Sequence, residues 1–101
     1  MCDNDVELLH TLSSLRQKID GLDTQILQLL AQRSECVNDI SKTKYHFHMD
    51  IIDEGRESMI IRRVSTNNPS RYHSKDLERI FRAILQAGVN LQLLKRSRSV
   101  Q

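Results

Sequence analysis

The stretch LSSLRQKIDGLDTQILQLLAQR, Leu12 to Arg33, decides how the chain is read. Counting from Leu8, one turn earlier, apolar residues recur at Leu12, Leu15, Ile19, Leu22, Ile26 and Leu29, in steps that alternate four and three. On a helix those steps fall along one narrow seam, the rhythm of a coiled coil. The count continues to Arg33, Cys36, Ile40 and Lys44. No proline interrupts it, and Gly21 is the one weak point, so the spacing predicts a helix from about Val6 to about Lys44. At 1.5 Å per residue it runs on the order of 60 Å. No other part of the chain is long enough to cover it. Long periodic helices without stops call for a partner chain, in the simplest case a symmetric dimer.

Working outward, YHFHMDII breaks the rhythm, and His46, Phe47, His48 and Met49 read as a connection. Asp53 is placed to cap a second helix through its side-chain oxygen, and that helix carries Ile60, Ile61 and Val64. STNNPSRYHS ends it, with Asn67, Asn68 and Pro69 as the turn signal. Ser74 is the expected cap of a third helix bearing Leu77, Ile80, Phe81, Ile84, Leu85, Val89 and Leu91. The tail KRSRSVQ is polar and expected to fray. The fold class is therefore all-α: a three-helix chain with a very long first helix. It reads as a single domain over 1–101, with its core at about 6–96 and a tail at 97–101.

Composition agrees. One proline, three glycines and no tryptophan leave little material for the turns of a β sandwich. A formal net charge of +2 is too small to argue for nucleic acid. Lys95, Arg96 and Arg98 cluster on the tail, where charges usually face solvent, and no aromatic platform accompanies them. Cys2 and Cys36 lie far apart without a C-x-x-C pattern, which fits a reduced, cytoplasmic setting. The acidic start MCDNDVELLH lacks the apolar run of a signal peptide. No stretch approaches the ~18 apolar residues of a membrane span. His46 and His48 have no third ligand at a convincing spacing, so no metal and no cofactor is expected.

Several polar residues stand where an apolar one is expected. Arg33 and Lys44 lie on the seam of the first helix, and an isolated cation there would ordinarily snorkel to water. Asp53 and Glu57 are four apart, which would place both on one face of the second helix beside Arg56; acids at a helix start are commonplace. On the third helix Gly88 opens a gap in the stripe and Gln92 flanks it, which close helix packing could also explain. Each bland reading holds alone. Together they interrupt three apolar faces, a pattern that suits an anionic ligand held inside a helical bundle.

At this point the residues resemble a known family. LRQKIDGLDTQILQLLAQR is similar to the first helix of the all-helical chorismate mutases, whose pattern runs L-R-x-x-I-D-x-L-D-x-x-I-L-x-L-L-x-x-R. KTKYHFHMDIIDEGRE resembles the family's K-x(8)-D-x-x-R-E, and IFRAILQAGVNLQ its third-helix motif. The resemblance covers roughly residues 8 to 94. It implies an intertwined homodimeric helical bundle with two identical sites, each taking Arg16 from one chain and the rest from the other. The implied reaction is the rearrangement of chorismate to prephenate, in phenylalanine and tyrosine biosynthesis. Arg16, Arg33 and Arg56 would hold the two carboxylates, with Asp53 and Gly88 lining the substrate. Lys44 and Gln92 would donate to the ether oxygen, and Glu57 would accept from the ring hydroxyl. Gly88 departs from relatives that carry a serine there, which removes a hydrogen bond but leaves space. AGVNLQ also resembles mutase domains fused to the first enzyme of the aromatic pathway; these 101 residues hold no such domain, and a free-standing enzyme and a domain cut from a fusion both fit them.

Two rivals remain. Isochorismate pyruvate lyases resemble the chain at the arginines and the lysine but generally depart from D-x-x-R-E. A non-catalytic helical dimer or interaction module would explain the first helix, but not Lys44, Asp53, Glu57 and Gln92 together.

Overall fold

The computed structural model describes residues 2–100, with side chains for 4–98. Its elements are α1 (Cys2–His46), α2 (Glu54–Thr66) and α3 (Ser74–Val100). Contacts divide the chain into two units between Arg33 and Ser34.

The first unit is the N-terminal part of α1. Its seam has the predicted residues but no cover from its own unit: Leu15, Ile19, Leu22, Ile26 and Leu29 each leave at least 50% of their surface exposed. Gly21 lies within unbroken helix.

The second unit gathers the C-terminal turns of α1, the connection, α2 and α3. Its buried residues are Val37 and Ser41 from α1, Ile51 from the connection, Ile60 and Ile61 from α2, and Gln92 from α3. The α2 and α3 helices pack on each other, and of the expected α2 stripe Ile60 and Ile61 are buried and Val64 half-buried.

The helix ends explain where the chain turns. α1 ends with His48 in the left-handed region at φ 57°. The His48 N–H donates to the Tyr45 carbonyl at 3.2 Å, and the Met49 N–H to the Lys44 carbonyl at 2.7 Å. This is the paired closure of a Schellman motif, with histidine where glycine is usual. Asp53 caps α2 as the sequence predicts: it is extended, and its Oδ1 accepts from the Arg56 N–H at 3.0 Å.

At α3 the expected cap is displaced by one residue. Ser74 is already helical, and its hydroxyl donates instead to the Ser65 carbonyl at 3.3 Å. The residue before it serves as the cap: His73 Nδ1 accepts from the Lys75 N–H at 3.1 Å, and its carbonyl from Asp76 and Leu77. Between α2 and α3, Asn68 Oδ1 accepts from the Ser70 N–H at 2.8 Å, an Asx turn that explains the turn signal. α3 runs through Val100, so the segment read as a frayed tail from Ser97 continues the helix to that point.

Candidate active site

Lys44 is the nearest candidate to the connection, and it ties that segment twice. Its carbonyl accepts from Met49, and its Nζ donates to the Ile51 carbonyl at 2.6 Å in a part-buried position. Ile51 is itself buried, so the second tie ends on an ordered group. From α3, Arg96 donates through Nη2 to the Met49 carbonyl at 2.9 Å. The segment from Met49 to Ile51 is thus held by one cation from α1 and one from α3.

Asp53 and Glu57 do not share a helix face in the way their spacing suggested. Asp53 stands outside α2 and turns its carboxylate back onto the helix start. It borders a shallow depression with Lys44, His48 and Ile51. Glu57, half-buried on α2, borders a second depression with Ser58, Ile61 and Arg82. Glu54 borders both, so the two depressions meet at the first turn of α2. Arg56 is exposed on that same turn.

On α3, Gly88 is half-buried and Gln92 is 7% exposed, among the most enclosed polar side chains described. The Gln92 amide nitrogen donates to the Gly88 carbonyl at a long 3.4 Å, and its Oε1 is buried with no partner. An enclosed amide so weakly engaged is unusual, because burying a polar group without a partner is costly. Gln92 is therefore no ordinary edge residue. An amide nitrogen carries two N–H donors, and one bond, to Gly88, is made from it here.

Arg16 and Arg33 belong to the first unit, where Arg16 is exposed and Arg33 half-buried. The second unit contains Lys44, Asp53, Arg56, Glu57, Gly88 and Gln92; of these, Lys44 and Asp53 border one depression and Glu57 another. Three buried polar groups escaped the sequence reading. Ser41 is 5% exposed on α1, one turn before Lys44. Asn38 Oδ1 and Arg96 Nε are buried without partners. The i, i+3, i+6 spacing of Asn38, Ser41 and Lys44 could have signalled a polar stripe. Arg96 gave no signal, because it looked like part of a solvated basic tail. Cys36, on the counted seam, is an exposed free thiol. Among the described residues no group of three or more His, Cys, Asp or Glu could hold a metal ion, and no helix is long and apolar enough to cross a membrane.

An all-α chain with one very long helix followed by two shorter helices that pack on each other is the architecture of a small helical-bundle protein. The chain belongs to the chorismate mutase type II family, whose profile matches residues 15–93. It is 32% identical to the bifunctional chorismate mutase/prephenate dehydratase of Escherichia coli K12, over 80% of this chain and 21% of that protein. The corresponding bifunctional protein of Pseudomonas aeruginosa is 26% identical over 80% of this chain and 24% of its own length. The chain therefore spans about a quarter or less of these bifunctional relatives. A chorismate mutase of Methanocaldococcus jannaschii is 33% identical over 56% of this chain and 58% of that protein. Among solved structures, form II of the chorismate mutase from Thermus thermophilus superposes with a TM-score of 0.78 at 23% identity, covering 80% of this chain and 92% of that one. This likeness establishes the fold.

Proposed function

We propose that this chain is a chorismate mutase that converts chorismate to prephenate as a cytoplasmic homodimer. The observation that carries the reading is Gln92: a buried neutral amide with a spare donor, in the same compact unit as the part-buried ammonium of Lys44.

Chorismate is a dianion with a ring carboxylate, an enolpyruvyl carboxylate, an ether oxygen and a ring hydroxyl. Its rearrangement is a concerted [3,3] shift. The ether C–O bond breaks as a C–C bond forms, and no proton, electron or group leaves the molecule. The protein's task is to fold the substrate into a reactive chair and stabilise charge growing on the ether oxygen. Arginines suit the first task, because their planar forks bind carboxylates bidentately. Arg33, Arg56 and the partner's Arg16 take that role, and such orientation can contribute several kcal/mol. Lys44 and Gln92 supply the second, as donors worth more in the transition state than in the ground state. Glu57 accepts from the ring hydroxyl, with Asp53 and Gly88 lining the pocket.

The homodimer is supported by the uncovered seam of α1. A row of leucines and isoleucines that is at least half exposed would be costly in water, and a second copy presents the matching row.

The test is a turnover assay on the purified chain with chorismate and, in parallel, isochorismate, separating prephenate, pyruvate and salicylate. Prephenate from chorismate, lost in Lys44→Ala, supports the reading. Pyruvate from isochorismate with little prephenate would replace it with the lyase.

A further inference from the structure

Two buried groups on α3 lack partners, and they are chemical complements. Gln92 Oε1 is an acceptor, and Arg96 Nε is a donor. They are four residues apart on one helix, the spacing at which side chains meet. Arg96 is already anchored at its far end, where Nη2 donates to the Met49 carbonyl at 2.9 Å. Its guanidinium is planar, so fixing one edge orients the rest of the fork.

We propose that Arg96 is a positioning residue for the reaction proposed above: the two unpaired groups, not bonded to each other in this structure, pair when substrate is bound, Nε donating to the Gln92 Oε1 while Nη2 holds the connection at Met49. The inference rests on the mutase reading, and what it adds is the device that aims the amide. A glutamine amide has two ends of nearly equal shape and opposite polarity. Only one orientation presents N–H to an ether oxygen, and the other presents a carbonyl, which repels growing negative charge. A donor committed to Oε1 removes the wrong orientation. Gly88 then accepts one amide N–H, and the second faces the site. The same guanidinium, already on the Met49 carbonyl, would then join Gln92 to the segment that carries the Ile51 carbonyl held by Lys44. One side chain thus sets the register between the two proposed donors.

The test measures prephenate formation against pH in the full-length chain and four variants: Arg96→Lys, Arg96→Met, Gln92→Glu and the double Gln92→Glu/Arg96→Met. Circular dichroism checks the fold of each. Arg96→Lys keeps a cation for the Met49 carbonyl but lacks a donor at the Nε position. Arg96→Lys and Arg96→Met are both expected to lower kcat about tenfold or more with little change in KM. In Gln92→Glu the acid-limited activity is expected to have its midpoint about one pH unit lower with Arg96 present than in the double variant, since a neighbouring cation favours the carboxylate. A cation that only clamps Met49 would move that midpoint as well, so the bond itself is read from Arg96→Lys, which keeps the charge and loses the Nε donor. Wild-type kcat in Arg96→Lys, or an unmoved midpoint in folded variants, overturns the inference alone. A wild type that makes no prephenate overturns the mutase reading and this inference with it.

Discussion

The Lys44 ammonium donates to the Ile51 carbonyl at 2.6 Å, across seven residues and a change of direction in the chain. An ammonium has three donors, so this tie leaves two for a substrate while fixing where the nitrogen sits. The lysine is thus both a clamp and a candidate donor, and the two roles are separable. Lys44→Ala should lower kcat by about 10²–10³-fold, the usual cost of removing a preorganised donor to a developing oxyanion. The lost tie should cost only about 1 kcal/mol of stability. Steady-state kinetics with denaturant unfolding on the same sample checks both numbers. Wild-type kcat in that variant would make the donor assignment wrong.

Asp53 spends its carboxylate on the Arg56 N–H at the start of α2. Asparagine caps about as well as aspartate, whereas alanine costs about 1 kcal/mol. Asp53→Asn should therefore melt close to the wild type, and Asp53→Ala several degrees lower. If Asp53 also touches substrate through its charge, Asp53→Asn raises KM without loss of stability. Thermal melts beside Michaelis–Menten curves separate capping from binding.

Much of this fold is legible in the sequence, for identifiable reasons. The seam of α1 repeats often enough to fix its period, and Asp53 and the Asn67–Pro69 turn are local signals that need no tertiary context. Ser74 misled because His73, one residue earlier, offers both a ring nitrogen and a carbonyl to the start of α3. The four-residue spacing of Asp53 and Glu57 misled because a capping residue is not yet on the helix. Arg96 was illegible because its partner, Met49, lies 47 residues away in sequence. Local patterns report faces and ends, and they do not report which distant carbonyl a cation reaches.

His48 occupies the left-handed position that closes α1, at φ 57°. For a residue with a Cβ that conformation costs on the order of 1 kcal/mol, which glycine avoids. Glycine also loses more entropy on folding, which offsets part of the gain. His48→Gly should therefore be neutral to stabilising by up to about 1 kcal/mol, with the connection unchanged. Chemical denaturation gives the sign. A clear loss of stability would mean that the imidazole contributes more than its backbone strain.

Ile26 lies mid-seam on α1 and leaves 54% of its surface exposed within the single chain. In the proposed dimer that surface is covered, and a charge there would be buried without a partner. Ile26→Asp should abolish association at micromolar concentration, with loss of helical signal, because a lone helix end is marginal without packing. Ile26→Val, a milder change, should keep the dimer at a cost of about 1 kcal/mol. Sedimentation equilibrium with far-UV circular dichroism reads both. A monomeric wild type, or an Ile26→Asp variant that stays dimeric, would send the seam to some other occupant.

The pH profile tests the chemistry assigned to Gln92. An amide donates without carrying a titratable proton, and the reaction moves none, so wild-type kcat should be nearly flat from pH 6 to 8. Gln92→Glu keeps the size of the side chain but can donate only when protonated. At a position 7% exposed, burial favours the neutral acid and moves the carboxyl above the usual glutamate range, while the Arg96 cation pulls it back. The sign is the same whichever dominates. Activity is present below the carboxyl's folded pKa and falls about tenfold per pH unit above it. The variant should therefore be an acid-only enzyme, while the wild type hardly responds. A steep acid limb in the wild type, or a flat profile in Gln92→Glu, would mean that the amide is not the donor to the ether oxygen.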